Sequence, residues 1–237
     1  MKKTATMIAI SVLVAGVANA GDWARPAKNL VPLSPPSMDG SCLSYDYLDL
    51  EYGNNDYGNG FFHNGESFGG GFSKSIGSTF FLNGSFADSS YDYDWVGHIV
   101  GVDTRRYRLG LGAHREIAKC VDLTFEGGAD YLEAEYGSGY TDHDYDSWSY
   151  YAGPGIRARA GRFEMFAKVF YVTSEGDATR EYLAHHNCTC TDVSLSDDRW
   201  VFNPGFIFHV SDTFGVKVAA ELDEHDTTFT FGGRLHF

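Results

Sequence analysis

The sequence predicts an all-β protein: a transmembrane up-and-down antiparallel β-barrel, with ten strands as the best count and eight as the nearest alternative. Three observations lead there. From Cys42 onward apolar and polar residues alternate at a period of two, the mark of strands with one apolar and one polar face. The connections between these segments are short and long in turn, so all the short ones fall at one end of the sheet. Beyond the first 20 residues no run approaches the roughly 18 apolar residues a membrane helix needs, which excludes a polytopic helical membrane protein.

The segments follow in chain order. Leu48, Leu50 and Tyr52 open the series, then Phe68, Gly70 and Phe72, and Phe80, Leu82, Gly84 and Phe86. Tyr107, Leu109, Leu111 and Ala113 oppose Arg106, Arg108, Gly110 and Gly112. Val121, Leu123, Phe125, Gly127, Ala129 and Tyr131 oppose Asp122, Thr124, Glu126 and Asp130. The segments Tyr150 to Arg159 and Trp200 to His209 contain Pro154 and Pro204, and proline weakens a central strand. Phe163, Met165, Ala167, Val169 and Tyr171 oppose Glu164 and Lys168, and Phe214, Val216, Val218, Ala220 and Leu222 oppose Lys217, Ala219 and Glu221. The last segment sets Phe229, Phe231, Gly233, Leu235 and Phe237 against Thr228, Thr230, Gly232, Arg234 and His236.

Short turns are expected at Ser75 to Gly77, Glu116 to Lys119, Ala160 to Arg162 and Ser211 to Thr213. Long polar loops are expected at Gly53 to Glu66, Ala87 to Asp103, Tyr136 to Ser147 and Ser174 to Asp198. The last connection, Asp223 to Asp226, is short where a long one was due. Short periplasmic turns and long outer loops are the asymmetry of outer-membrane barrels.

The amino end reads as an address. Lys2 and Lys3 precede an apolar run from Met7 to Val17, and Ala18-Asn19-Ala20 supplies a small-x-small cleavage site. This predicts a cleaved secretory signal peptide over 1–20. Residues 21–41, with Pro26, Pro32, Pro35 and Pro36 and no apolar period, predict an extended segment. The barrel domain is expected over 42–237.

Composition narrows the partners. The 237 residues carry a net charge of −14, with 16% aromatic residues and 28 glycines, and a mean hydropathy of −0.26. Acidity without a basic patch excludes a nucleic-acid binder, and the aromatic content excludes a disordered chain. A soluble sandwich or a lipocalin-like periplasmic barrel would also alternate. Its polar face would be wet and open, however, whereas this one is crowded with glycine and charges of both signs. Glycine and opposed charges suit an enclosed lumen, and lipid requires a closed barrel so that every backbone group is satisfied. Arg106, Arg108, Glu126, Asp130, Arg157, Arg159, Glu164, Lys168, Lys217, Glu221 and Arg234 are therefore the expected lumen charges. Tyr52, Phe86, Tyr131, Tyr136, Trp148, Tyr171 and Phe237, near segment ends, are expected in interfacial girdles.

The leader, the alternating segments and the terminal Phe229-Thr230-Phe231-Gly232-Gly233-Arg234-Leu235-His236-Phe237 resemble small outer-membrane β-barrel proteins of the OmpA-like type. That resemblance implies an outer-membrane location, contact with lipid and lipopolysaccharide, and a final strand read by the barrel-assembly machinery through Phe229, Phe231, Leu235 and Phe237. The best-known members have eight strands and often a peptidoglycan-binding domain. Neither feature is carried over to this chain.

The candidate chemistry is sparse. Ten strands lie near the size at which side chains fill the lumen, so a filled, ion-paired interior is expected, with a narrow porin-like pore as the alternative. The outer loops are acidic, with Arg180 their one Lys or Arg. Asp142, Asp144 and Asp146 place carboxylates on one side of an extended segment, a geometry that could hold a divalent cation loosely by oxygen. A calcium loop would continue with glycine and later glutamate where Ser147 and Gly153 stand, so a solvated loop is the better expectation, and no cofactor is expected. His63, His98, His143 and His225 lie near acids in the loops, as the residues of a barrel-rim protease would, but match no such motif. No Gly-x-Ser-x-Gly elbow occurs, and no enzyme is expected. Cys188 and Cys190, beside His185 and His186, suit either a disulfide or a metal clip. Cys42 and Cys120 both belong at the periplasmic end, but on first and fifth strands that should not be neighbours, so the pairing stays open.

Overall fold

The computed structural model describes residues 42–57, 65–95, 98–137, 142–180, 191–223 and 226–237. The leader, the proline-rich segment, Cys188 and Cys190 with His185 and His186, and also His63 and His225, lie outside the described residues. Ten strands follow in order: β1 (Tyr47–Tyr57), β2 (Gly65–Ile76), β3 (Phe80–Trp95), β4 (His98–Ala118), β5 (Val121–Gly137), β6 (Asp142–Ala160), β7 (Phe163–Arg180), β8 (Thr191–His209), β9 (Phe214–Leu222) and β10 (Asp226–His236). Each pairs antiparallel with its neighbours in sequence, and β10 returns to β1, so the sheet closes into a barrel. Closure leaves no strand edge in the apolar band, as a lipid solvent requires.

The alternation expected from the sequence is the alternation of the barrel wall. Leu109, Val218 and Phe231 are 58%, 46% and 61% exposed on the outside, while Asp122, Glu126 and Asp130, each next to an outward residue, are buried inside. Phe86, Tyr107, Tyr131 and Trp148 stand opposite one another across β3 to β6, their rings 4.8–6.4 Å apart. Tyr171 and Trp200 extend the same kind of contact to β7 and β8. This row is the upper girdle. The side chain of Tyr136 lies outside those described.

Both prolines are accommodated. Pro154 pairs with Phe125 on β5, but the β6–β7 ladder lapses at 153–154 and resumes in the same register. Pro204 pairs with Ala167 on β7, and the β8–β9 ladder lapses at 203–204. Each lapse falls where the missing N–H would have donated.

The outer connections differ from expectation. The segment expected as a loop at Ala87 to Asp103 is mostly strand, since β3 runs to Trp95 and β4 starts at His98. Likewise β5 runs to Gly137, β6 starts at Asp142, β7 reaches Arg180 and β8 begins at Thr191. Above the headgroups both faces of a strand meet water, so pairing continues after the apolar alternation has stopped. Arg105 and Glu135, 3.8 Å apart and both half-exposed or more, belong to this outer extension. The wall is uneven as a result. Strands β3 to β8 have 16 to 21 residues, whereas β9, β10, β1 and β2 have 9 to 12.

The periplasmic turns are tight. Gly77 and Gly161 adopt φ of 70° and 61° in the β2–β3 and β6–β7 turns, where a Cβ would be strained. Cys120, at φ 60° in the β4–β5 turn, is the non-glycine exception. Its N–H donates to Glu116 Oε1 at 3.3 Å, and its sulfur is bonded to Cys42. That disulfide answers the open pairing: β1 and β5 are not neighbours, as expected, but neither cysteine lies on a strand. Cys42 is not on β1. It belongs to a strap, residues 42–46, that leaves the wall before β1 and crosses to the β4–β5 turn.

Candidate functional site: the charged lumen and its closed mouth

Strand alternation sends every expected lumen charge inward, and cross-barrel pairing then satisfies them in tiers. In the outer tier, Arg106 Nε donates to Asp130 Oδ2 at 2.7 Å and Nη1 to Glu221 Oε1 at 3.0 Å. Arg108 Nη2 donates to the same Asp130 oxygen at 3.0 Å, and its guanidinium lies 4.9 Å from the Tyr151 ring. In the middle tier, Lys168 Nζ and Asn83 Nδ2 donate to Glu126 Oε2 at 2.9 and 3.2 Å. Lys217 Nζ donates to Asp49 at 3.0 Å and also to Glu51. In the inner tier, Arg234 forks onto Asp49 with two bonds of 2.7 Å. There Arg157 Nε donates to Glu164 Oε1 at 3.1 Å, and His209 Nε2 bonds Glu164 Oε2 at 3.1 Å. Arg159 is the exception in role: it lies at the rim and donates to the carbonyls of Gly161 and Cys42.

Glu164 and Asp122 are 1% exposed, and Arg157 and Arg234 are 4% exposed. Charges this deep are tolerated because each is paired and hydrogen-bonded. Sequence reading singled out eleven of these charges but not Asp49 and Glu51, although odd positions on β1 oppose Leu48, Leu50 and Tyr52. The weak apolar signal of that short strand concealed them. Also absent from the expected set were His114, His209 and Tyr45.

The charges do not fill the lumen. A cavity of about 580 Å³ runs from Asp197, Arg199 and Asp223 at the outer side down to Tyr47, Arg157 and Arg234. It lies against a wall of small inward residues on β1 to β3, including Gly53, Ser67, Gly69, Ser85, Ala87 and Ser89. The interior is therefore only partly filled by its side chains.

Beneath Arg157, at the base of the cavity, lies the strap. Leu43 and Tyr45 are buried with Phe81 in one apolar cluster. The Tyr45 ring packs against both Phe81 and His114, with centroids 4.7 and 4.1 Å away, and the Arg157 guanidinium lies 4.4 Å from it. Its hydroxyl donates to Asp122 Oδ2 at 3.0 Å, an oxygen that His114 Nδ1 also meets at 3.0 Å. Burial pushes the Tyr45 phenol above its usual range, and the Asp122 carboxylate pushes the same way against Arg157, so it stays a neutral donor. Arg157 Nη2 donates to the Ser44 carbonyl at 3.2 Å. Gly112 makes this packing possible: a Cβ there would lie 2.1 Å from the Phe81 ring.

Asp142, Asp144 and Asp146 take alternate positions on β6, with Asp144 opposite Glu135 and Asp146 opposite Glu133. Asp146 is exposed, and the side chains of Asp142, Asp144 and His143 lie outside those described. Among the described residues no group of three His, Cys, Asp or Glu is placed to hold a metal ion. Phe229, Phe231, Leu235 and Phe237 all face outward, each more than half exposed.

No protein-family model and no curated protein matches the chain. Solved structures do. The β domain of the Bordetella autotransporter BrkA is 9% identical, with 81% of this chain and 98% of that one covered at a TM-score of 0.52. OprG from Pseudomonas aeruginosa is 11% identical over 82% and 96% of the two chains at 0.49. The outer-membrane protease OmpT from Escherichia coli is 9% identical over 88% and 99% at 0.49. At such identities the likeness is one of fold: a closed antiparallel barrel of the outer-membrane type.

Proposed function

We propose that the protein is an integral barrel of a bacterial outer membrane, exported with a cleaved leader, and closed at rest across its periplasmic mouth. Its role is structural or surface-interacting, carried by the acidic extensions above the membrane rather than by continuous flow through the lumen. The observation that supports this most is the strap: five residues across the mouth, packed on Phe81 and His114 and bonded to Cys120. An open porin-like channel is the second reading, favoured by the cavity that reaches down to Arg157. Planar-bilayer recording separates the two. The oxidised protein gives no unitary current steps if it is closed, and steady steps if it is a porin.

The exposed apolar belt opposes a soluble lipocalin-like barrel, which would turn Leu109 and Phe231 away from water. Fractionation with the outer membrane, migration that changes on boiling, and a mature amino terminus at Gly21 are the expected outcomes. The outward row Phe229, Phe231, Leu235 and Phe237 would be read by the assembly machinery. The acidic rim around Asp146 would gather divalent cations shared with lipopolysaccharide. Calorimetry showing no calcium uptake at millimolar levels would remove that last element. No catalytic role is assigned.

A further inference from the structure

We propose that the strap is a disulfide-latched stopper, and that releasing it turns the lumen into a passage for small hydrophilic ions and solutes. This rests on the closed resting state proposed above. The strap's place in the ring is what carries it. β1, where the strap begins, neighbours β10 and β2, while Cys120, Asp122, Arg157 and Arg159, which hold its far end, belong to the opposite side of the barrel. Five residues of extended chain reach roughly 16 Å, which is the scale of such a mouth.

Much of the lumen wall above the strap is polar, beside two buried apolar clusters around Phe170 and Ile207. The cavity descends along the small-residue wall to Tyr47, Arg157 and Arg234, and Arg157 in turn rests against the Tyr45 ring and the Ser44 carbonyl of the strap. Most charges on the opposite wall are satisfied by one another, and the wall meets the strap at Asp122, Arg157 and Arg159 on the far side and at Ser75 and Lys74 on the near side. The barrel ladder likewise closes through β1 and β10 without any residue of the strap. Below the cavity the way is blocked by the buried tier of Arg157, Glu164, His209 and Arg234 and, against Arg157, by the strap with the bulk of Leu43 and Tyr45, which the covalent tie holds in place.

Release has a simple balance. A dithiol reductant attacks the Cys42–Cys120 bond through its thiolate, the S–S bond breaks, and both cysteines end as thiols while the dithiol closes to its own disulfide. The reductant donates two electrons and two protons. Both cysteines are half-buried at the periplasmic side rather than sealed within the wall.

The experiment compares full-length proteins in planar bilayers, each first shown to be a closed barrel by migration that changes on boiling. Oxidised wild type is expected to be silent. Adding dithiothreitol to the compartment facing the periplasmic mouth, or using C42S/C120S, is expected to produce discrete steps. Leu43→Gly with Tyr45→Gly, which keeps the disulfide but removes the bulk, is expected to conduct without reductant. Oxidised wild type that already conducts would sink the closed resting state. Silent wild type with silent C42S/C120S and silent Leu43→Gly/Tyr45→Gly, all folded, would leave that state intact and overturn the stopper.

Discussion

Arg234 on the last strand and Asp49 on the first face each other across the seam that closes the barrel, joined by two hydrogen bonds of 2.7 Å. Both side chains are 4% exposed, so neither can fall back on bulk water. Removing Asp49 strands the buried Arg234 and costs about 3–5 kcal/mol, whereas removing Arg234 costs less because Lys217 still pairs with Asp49. Arg234→Ala and Asp49→Ala should each lower the urea midpoint of the barrel refolded in lipid. The double variant should lose less than the two single losses combined, and a double-mutant cycle reads that difference directly.

The outer face makes a separate prediction. Leu109 is 58% exposed in the middle of the apolar band, where hydrocarbon would surround it. Leu109→Arg should cost about 2–4 kcal/mol, measured as reversible unfolding in lipid vesicles. A spin label at Leu109 or Phe231 should report acyl chains by oxygen accessibility. One reporting water would invert the assignment of the two faces.

Gly112 lets the Phe81 ring lie flat over the β4 backbone, under Tyr45. Gly112→Ala pushes on that ring from 2.1 Å, and crowding of this kind costs about 1–3 kcal/mol. The displaced ring should loosen the strap as well. The expected readout is faster reduction of the Cys42–Cys120 bond by dithiothreitol, with the barrel still closed on a gel.

Asp46 predicts an acid dependence. Ser75 N–H donates to its carboxylate at 2.6 Å and Lys74 Nζ lies 3.3 Å away. Partial burial works to raise its pKa, but Ser75 and Lys74 outweigh it and hold the carboxyl below the usual range. A carboxyl depressed in the folded state adds stability above its unfolded value and loses it as pH falls through the folded one. Asp46→Asn should therefore cost about 1 kcal/mol near neutrality. The gap from wild type should close as the pH drops below the usual aspartate range.

The sequence pattern revealed the strands wherever lipid met the outer face, because hydrocarbon tolerates no polar side chain there. Leu109, Leu111, Phe229 and Phe231 had to be apolar, and the opposite residues were thereby marked as inward. Above the headgroups that demand ends. Asp88, Ser90 and Asp103 occupy outward positions on β3 and β4 and read as loop, although the backbone stays paired. The disulfide was illegible for another reason. Cys42 and Cys120 meet because a segment outside the sheet crosses the barrel mouth, and strand order alone gives no distance for such a path. Asp49 and Glu51 were legible in principle but sat on a strand with only three apolar markers.

The uneven wall decides where the molecule can be lengthened. β4 has 21 residues and β9 only 9, so the tips of the tall hairpins stand higher than the β9–β10 tip by on the order of 20–30 Å. A peptide tag grafted beyond Trp95 would be displayed well above the β9–β10 tip. The same tag placed after Asp223 would be submerged among the lipid headgroups and hidden from an antibody.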